Sequence, residues 1–400
     1  MGTKHSTIST FKISLLVLVI LLGGLVFSGC RAGLGAVPKG WSGATIADDI
    51  LFVGSMEGKL VATNTTDNNL LWAIPLETTE TGGGFGCAPT STAVAIYGSP
   101  VVAEDEGLVY VGGYNGKIYA FNTNTGALRW VYPRQDYLKP IVGGPVVALG
   151  NVYFASADGK IYALDAETGD DVIWEEPFET NDKIWSTPAI GGDTLYIGSF
   201  DKKLYALNAT DGSKKWEFET EGTIVSTPLI YENTVYIGSF DRYLYAIDAS
   251  TGKQIWKFPA NEEDEHKPGN WFWAKPVVYN DTIYAACLDG KVYVLKANNG
   301  EKLDEFELGG PKIVLGDIKK HVPVSSSPVL VDNLIIVATE DGMIYALDTD
   351  SNQQRQMVNL EEKVYAPLVA SEGRVYIHTS KDALYEIDVQ SGARREFDIK

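Results

Sequence analysis

The segment TPAIGGDTLYIGSFDKKLYALN, residues 187–208, decides the fold, because it is repeated nearly unchanged as TPLIYENTVYIGSFDRYLYAID, residues 227–248. The two segments align without a gap. Extending the alignment in both directions finds eight copies with a period of about 40 residues, and such a period is typical of repeat architectures. The chain is therefore one unit repeated eight times.

Two aromatic positions recur in the copies, nine residues apart. The earlier position holds Phe52, Tyr110, Tyr153, Tyr196, Tyr236, Tyr284, Ile336 and Tyr376. The later position holds Val61, Tyr119, Tyr162, Tyr205, Tyr245, Tyr293, Tyr345 and Tyr385. These two columns account for thirteen of the 21 tyrosines in the chain. The high tyrosine content is thus a property of the repeat.

Each copy predicts four short antiparallel strands. The two tyrosine segments alternate and are rich in β-branched residues, and turns of the Asp-Gly type such as Asp158-Gly159 join them. A proline opens the first strand in seven copies, which is where a strand at the edge of a sheet accepts proline. The proline column holds Pro100, Pro145, Pro188, Pro228, Pro276, Pro328 and Pro367. We expect an all-β, eight-bladed β-propeller of four-stranded antiparallel blades over residues 43–400.

A tryptophan follows the second tyrosine in the first five copies: Trp72, Trp130, Trp174, Trp216 and Trp256. Copies six to eight have Asp304, Gln356 and Glu396 at the same spacing, and an alanine directly after the second tyrosine is lost in two of these three. Because the two positions change together, we predict that each tryptophan is a structural docking residue that packs over that alanine.

Copy five reads Ala246-Ile-Asp248-Ala-Ser-Thr251-Gly252-Lys-Gln-Ile-Trp256. This pattern resembles the docking motif of the quinoprotein-type (PQQ-like) β-propeller repeat family, and the resemblance covers about residues 43–400. It implies the propeller fold. Proteins with this repeat include quinone-dependent dehydrogenases and non-enzymatic envelope lipoproteins, and the overall plan is similar to that of the BamB outer-membrane assembly lipoproteins.

The resemblance to the dehydrogenases implies PQQ with calcium as cofactors, beside a vicinal cysteine pair and a carboxylate base. Here Cys30, Cys87 and Cys287 lie far apart, and no Ser/His/Asp set or His-x-x-x-His spacing is present. His378 is on a predicted strand and is interpreted as structural. We therefore expect no enzyme, no catalytic residue, no cofactor and no metal site.

The first 29 residues resemble a lipoprotein signal peptide. Two lysines precede an apolar run from Ile13 to Val26, which is too short to span a bilayer comfortably, and Phe27-Ser-Gly-Cys30 follows it. We expect a signal peptide over 1–29, lipidation of Cys30 and a tether over 30–42. An uncleaved signal anchor is the alternative. Both place the chain outside the cytoplasm, anchored to the cell membrane or to the outer membrane if one is present.

The predicted binding face is the end of the propeller where the loops between blades and the Asp-Gly turns meet. The longest connections, 77–97, 260–273 and 308–325, all fall there, and insertions on one face of a repeat protein often mark its binding face. Aromatic residues outside the repeat columns gather at this end, and such residues are enriched at binding hot spots. The candidates are Trp41, Tyr97, Trp185, Phe200, Phe240, Trp271 and Trp273. Filling of the gaps between inner strands is the alternative role.

One acidic residue per turn also falls on this rim: Glu57, Asp158, Asp201, Asp241, Asp289 and Asp341. Turn formation and an acidic field that attracts a cation are both open interpretations. A bond between Cys87 and Cys287 would require the glycine-rich loop to cross the channel mouth, so we expect none.

The function predicted from these features is a lipid-anchored, non-enzymatic envelope scaffold that binds envelope proteins, such as a β-barrel assembly complex. A PQQ-binding quinoprotein or a carbohydrate-binding propeller is the alternative. Contact with the membrane is expected through the N-terminal lipid only. The formal net charge of -19 and pI of about 4.6 exclude a nucleic-acid partner.

Overall fold

In a computed structural model, the chain is described over residues 40–77, 79–81, 90–171, 173–260, 267–309, 312–314 and 318–399. These residues contain strands and turns and no helix, and they build eight four-stranded antiparallel sheets. The predicted eight-bladed propeller is thereby confirmed. The predicted signal peptide and Cys30 lie outside the described residues.

Each blade is one stretch of chain, and its strands follow in order from the inside to the outside. Blades 1 and 2 are Ala44–Ala47, Ile50–Gly54, Lys59–Asn64, Leu70–Pro75, and Val101–Ala103, Leu108–Gly112, Ile118–Asn122, Leu128–Tyr132. Blades 3 and 4 are Val146–Ala148, Asn151–Ala155, Lys160–Asp165, Phe178–Glu179, and Ala189–Gly191, Thr194–Gly198, Lys203–Asn208, Lys214–Glu219. Blades 5 and 6 are Leu229–Tyr231, Thr234–Gly238, Leu244–Asp248, Gln254–Phe258, and Val277–Tyr279, Thr282–Ala286, Lys291–Lys296, Lys302–Glu307. Blades 7 and 8 are Val329–Val331, Leu334–Ala338, Met343–Asp348, Gln353–Asn359, and Val369–Ser371, Arg374–His378, Leu384–Asp388, Arg394–Phe397.

The ring closes by packing between the last blade and the first. The inner strand of blade 1 contacts the inner strands of both blade 2 and blade 8. A buried cluster that includes Leu51, Val53, Leu384 and Phe397 joins blades 8 and 1. No strand is exchanged between them, because each sheet is built from consecutive strands. Ser42 is already buried and hydrogen-bonded to Gly98 O and Gly54 N, so the packed ring begins just before residue 43.

Two further two-stranded ladders are present. Lys312–Val314 pairs with Ile318–Lys320 in the connection between blades 6 and 7. Thr79–Thr81 pairs with Thr90–Thr92 and belongs to a separate compact unit. The other residues of the glycine-rich loop, including Cys87, lie outside the described residues.

The two tyrosine columns have distinct hydrogen-bonding partners. In the third strands, the hydroxyl groups of Tyr162, Tyr205, Tyr245 and Tyr293 donate to the rim carboxylates Asp158, Asp201, Asp241 and Asp289 at 2.6–2.9 Å. The same carboxylates accept backbone N–H groups of their own turns, as Asp158 does from Lys160. Burial and the adjacent carboxylate raise the pKa of Tyr205 well above its usual range. These four carboxylates are engaged within the fold, which favours the turn interpretation.

We call the boundary between consecutive blades a seam, and five of the eight seams depend on the tryptophan column. All five indole N–H groups donate to a backbone carbonyl of the next blade at 2.9 Å, and the acceptors are Thr123, Ala166, Ala209, Ala249 and Ala297. In blades 2 to 5 the hydroxyl of the second-strand tyrosine donates to the same carbonyl, at 2.9–3.2 Å. A carbonyl oxygen has two lone pairs, so both are satisfied at these four seams.

The predicted alanine contact is seen in the strand register, where Ala62, Ala120, Ala206 and Ala246 lie directly opposite the tryptophans of their own blades. The indole also needs a glycine in the next blade. A Cβ on Gly252 would lie 2.7 Å from the Trp216 ring, which is too close. Gly252 also has φ of 70°, a conformation that favours glycine, so both the space and the backbone disfavour a larger residue.

The sequence alignment placed Gln356 and Glu396 at the tryptophan position of copies seven and eight, and this assignment was wrong by one residue. Arg355 lies opposite Ala346, and Arg395 lies opposite Glu386, whereas Gln356 and Glu396 lie opposite the preceding tyrosines. In blades 1, 2, 4, 5 and 6 a register shift follows the docking pair. In blade 7 it lies elsewhere, and in blade 8 none occurs. Residue counting across this irregularity therefore gave the wrong partner.

These two arginines donate to the backbone carbonyl of the next blade that is equivalent to the acceptor of the indole N–H in blades 1 to 5. Arg355 donates to Val389 O at 3.0 Å, and Arg395 donates to Thr65 O at 2.6 Å. Arg395 also contacts Glu386 Oε2 at 2.7 Å. Asp304 of blade 6 accepts a hydrogen bond from the side chain of Asn352 in blade 7 instead. The eight seams thus use three kinds of side chain.

Candidate functional site

The inner strands enclose a cavity at the end of the ring where the loops between blades arrive. Side chains alternate along an extended segment, so the residues one and three positions before the proline column lie on the same side. Seven of the eight residues at the third position line a cavity of about 260 Å³, namely Trp41, Tyr97, Val142, Trp185, Val225, Trp273 and Ser325. In blade 8 the equivalent Val364 is buried, and Tyr365 lines the cavity instead.

An aromatic collar surrounds this cavity. We use that name for Trp41, Tyr97, Tyr114, Trp185, Trp273 and Tyr365, all of which line it. Trp41 contacts Tyr97 and Tyr365, with ring centroids 4.7 and 5.5 Å apart, and Tyr97 contacts Tyr114 at 5.3 Å. Part of the collar is therefore a continuous chain of ring contacts that spans blades 8, 1 and 2.

The other predicted contact residues extend the collar outward. Phe240 stacks on Trp271 with a centroid distance of 4.3 Å and also contacts Trp273 at 5.7 Å. Phe200 meets Trp185 edge to face at 4.8 Å. Trp41 and Trp271 remain 37% and 41% exposed. The structure thus gathers all seven predicted contact residues around one mouth.

Two cations face the collar. The Lys183 Nζ lies 4.4 Å from the centroid of Phe200 and 5.0 Å from that of Trp185, and the Lys363 Nζ lies 5.9 Å from Tyr365. Such contacts place positive charge on the aromatic faces. The mouth therefore offers flat apolar rings together with cationic groups, in a chain that is acidic as a whole.

Tyr114 and Tyr365 were absent from the sequence prediction. Tyr114 stands at the turn position that holds Phe200 and Phe240 in blades 4 and 5, and Asn115 takes the place of the turn acid in blade 2. Tyr365 is one position away from the column that defines the cavity wall. The aromatic residue at the position of Phe200 and Phe240 was a visible signal. The shift by one residue in blade 8 was not.

A second set of residues lines the waist of the channel, one position before the prolines. It consists of Ser99, Thr187, Thr227, Lys275 and Ser327, which contribute to the walls of the mouth cavity and of a second cavity of about 580 Å³ beyond it. Lys275 is the one cation among these five. Desolvation by the surrounding protein lowers the pKa of its amine.

The remaining chemical groups of interest have structural partners. The Cys287 thiol is buried against the carbonyls of Asn270 and Trp271, at 3.3 and 3.4 Å, and burial raises its pKa well above the usual range. His378 is buried in the seam between blades 8 and 1, where its ring nitrogens contact Ser42 O and Asp382 Oδ1 at 2.9 and 3.1 Å. Both groups lie in packed positions.

The family described as outer membrane protein assembly factor BamB matches residues 88–176 and 170–395. The chain belongs to this BamB family of PQQ-like propellers. No curated protein sequence matches it significantly.

Solved structures agree on the fold of this BamB-family chain. BamB from Moraxella catarrhalis is 19% identical with a TM-score of 0.67, and the match covers 86% of this chain and 95% of that one. The computationally designed protein Ika8 gives 14% identity and a TM-score of 0.66 over 87% of this chain and 96% of its own. A europium-containing methanol dehydrogenase is 14% identical with a TM-score of 0.60, and the match covers 88% of this chain and 82% of that one. At these identities the likeness shows the propeller alone.

The cavity walls can be compared with what PQQ and calcium need. Calcium takes six to eight oxygen ligands, mostly from carboxylates. The described residues that line the mouth cavity include no aspartate or glutamate. No group of three or more His, Cys, Asp or Glu in the described part of the chain is placed to hold a metal ion. These residues do not fit a calcium-bound quinone.

Proposed function

We propose that this chain is a lipid-anchored envelope scaffold that binds protein partners of an outer-membrane β-barrel assembly complex through its channel mouth. Membership of the BamB family supports the assembly role and an envelope location. The observation that carries the choice of surface is the aromatic collar with its outer rings, because aromatic residues are enriched in the core of protein-binding interfaces and at their hot spots.

The fold supports a scaffold rather than a moving device. Eight blades close into one ring whose seams are held by repeated hydrogen bonds and buried clusters, so the mouth residues are displayed on a rigid frame. A preorganised surface loses little conformational entropy when a partner binds. No helix in the described part of the chain is long and apolar enough to cross a bilayer. Attachment through Cys30 is the anchor that we propose.

Site-specific photo-crosslinking in the intact lipoprotein tests this function. A photoreactive residue at Trp271 reports on the mouth, and one at Leu128 is the matched control. Leu128 is 54% exposed at the start of the fourth strand of blade 2, at the opposite end of the blade. We expect cross-links from position 271 to subunits of a barrel-assembly complex and none from position 128. Isolation as a lone monomer in mild detergent, with equal labelling at both positions, would contradict the proposal.

A carbohydrate ligand is the competing use of the same rings, since flat tryptophan faces also bind sugars. The variants Trp185→Ala and Trp273→Ala separate the two. Loss of polysaccharide retention in these variants, without loss of the protein cross-links, would move the assignment to carbohydrate binding.

A further inference from the structure

The waist of the channel carries hydrogen-bond donors that have no acceptor in the described part of the chain. Within the described residues, the hydroxyls of Ser99 and Thr227 have no hydrogen-bond partner. Thr187 Oγ1 accepts from Gly144 N at 2.8 Å, and Ser327 Oγ accepts from Lys275 N at 3.1 Å, so the hydroxyl hydrogens of both remain available. Four hydroxyl groups in one constriction can therefore donate to a ligand.

Ser325 adds a fifth donor at the level of the collar. Ser325 lines the mouth cavity, and its Oγ is buried and has no partner within the described structure. A buried hydroxyl without a partner is destabilising, and for this reason most such groups in folded proteins are bonded. Rotation of the Ser325 side chain toward the cavity would let an acceptor there satisfy it.

The Lys275 amine is the charged member of this set. No carboxylate in the described part of the chain lies within ion-pair distance of its Nζ, and no described side chain accepts a hydrogen bond from it. Lys275 is exposed to the channel, yet the surrounding protein lowers the pKa of its amine by desolvation, and no described carboxylate offsets this effect. A bound anion would offset it.

The collar above the waist defines the rest of the ligand. Its six aromatic residues form the apolar wall of the 260 Å³ cavity, which leads down to Lys275. Pockets of this kind take an apolar body and orient it with a few polar groups. We propose that the channel binds a carboxylate on an aromatic or apolar body, with the carboxylate on Lys275 and the waist hydroxyls and the body within the collar.

This ligand site is a second function in addition to the scaffold function, and a different experiment tests it. It also has the reverse chemistry of a calcium site, because it presents donors and a cation where calcium needs carboxylate oxygens. A free organic acid and the C-terminal residue of a peptide carry the same chemistry. The experiment distinguishes these two sources.

Isothermal titration of the full chain tests the proposal with four probes. 4-Phenylbutyrate and 4-phenylbutanamide represent the free acid and its uncharged control. Acetyl-Gly-Gly-Phe with a free and with an amidated C-terminus represents the peptide. We expect at least one acid to bind about tenfold or more tightly than its amide, as befits a charge-assisted hydrogen bond. Binding of the peptide acid alone would identify a chain terminus as the ligand.

The variant Lys275→Met removes the charge and keeps most of the side-chain length. We expect it to lower the affinity for the acid about tenfold or more and to leave the amide unaffected. Ser325→Ala should lower the acid affinity by a smaller factor. Lys253→Met, at an exposed lysine in the outer turn of blade 5, is the matched control and should change nothing.

Three results would overturn the site. The first is equal binding of acid and amide, which would reduce the cavity to an aromatic surface. The second is unchanged acid binding in Lys275→Met, and the third is no binding of any probe. None of these results bears on the photo-crosslinks that test the scaffold function.

Discussion

The seams in the first part of the ring and those that close it differ in chemistry although they join the same kind of blade. At the four seams after blades 2 to 5, a tryptophan and a tyrosine donate to one carbonyl of the next blade. At the seams after blades 7 and 8, an arginine reaches that carbonyl. The shared element is the carbonyl acceptor, which a repeat architecture presents in every blade.

The two solutions differ in what they bury. An indole buries a large apolar area together with one donor, whereas Arg395 places a guanidinium beside Glu386, whose side chain is only 11% exposed. Burial and that carboxylate raise the pKa of the neighbouring Tyr376 to about 12. The tryptophan seams therefore depend mainly on packing, and the closing seam depends on a paired charge.

The largest expected loss of stability comes from removing the indole at a tryptophan seam. Trp256→Ala leaves a cavity and leaves the Ala297 carbonyl with Tyr236 as its side-chain donor, so we expect a loss of about 3–5 kcal/mol in the free energy of unfolding. Urea denaturation of the full chain measures it. Trp256→Phe keeps most of the packing and should lose about 1–2 kcal/mol. Equal losses in the two variants would show that the hydrogen bond, and not the packing, dominates.

An intermediate effect is expected at the closing seam. Arg395→Met leaves Glu386 without its nearest cation and removes the donor to Thr65 O, so we expect a loss of about 2 kcal/mol, between the values for exposed and buried ion pairs. The same denaturation experiment applies.

The triple variant Glu386→Ala, Arg395→Trp and Asn68→Gly sharpens the comparison, because it gives the closing seam the tryptophan, the alanine and the glycine of a tryptophan seam. We expect it to unfold within about 1 kcal/mol of the parent chain. A triple variant less stable than Arg395→Met would show that the two seam chemistries are not interchangeable.

The smallest effect is expected after blade 6. Asp304 and the exposed Asn352 meet at the surface, and polar contacts of this kind contribute little because water replaces them. Asp304→Ala should lower the free energy of unfolding by less than about 1 kcal/mol. A loss as large as that of Arg395→Met would contradict the ranking of the seams.

A second position in the sequence also reports on these seams. The position that packs on the preceding indole holds Gly126, Gly169, Gly212, Gly252 and Gly300. Where the preceding blade lacks tryptophan, the same position holds Asn352 and Asn68 in two of three blades. A Cβ can be accommodated only where no indole fills the space. This change between glycine and asparagine therefore reports the neighbour across the seam.

The collar was predictable for a related reason. Residues three positions before the proline column stand at one register in every repeat, so an aromatic residue there in four copies predicts one ring of aromatic side chains. The waist hydroxyls and Lys275 follow the same alternation two positions later. That these donors lack partners among the described residues could not be predicted, because it depends on which groups from other blades face them.

The sequence by itself determined the eight blades, their four strands and the face on which the loops gather, because the strand period, the turn residues and the proline positions are local properties repeated eight times. Only the tertiary structure decided that Arg355 and Arg395 replace tryptophan, that Tyr365 completes the collar and that no described carboxylate lies beside Lys275. Each of these depends on a one-residue shift in register or on contacts between separate blades. A linear pattern does not contain such distances.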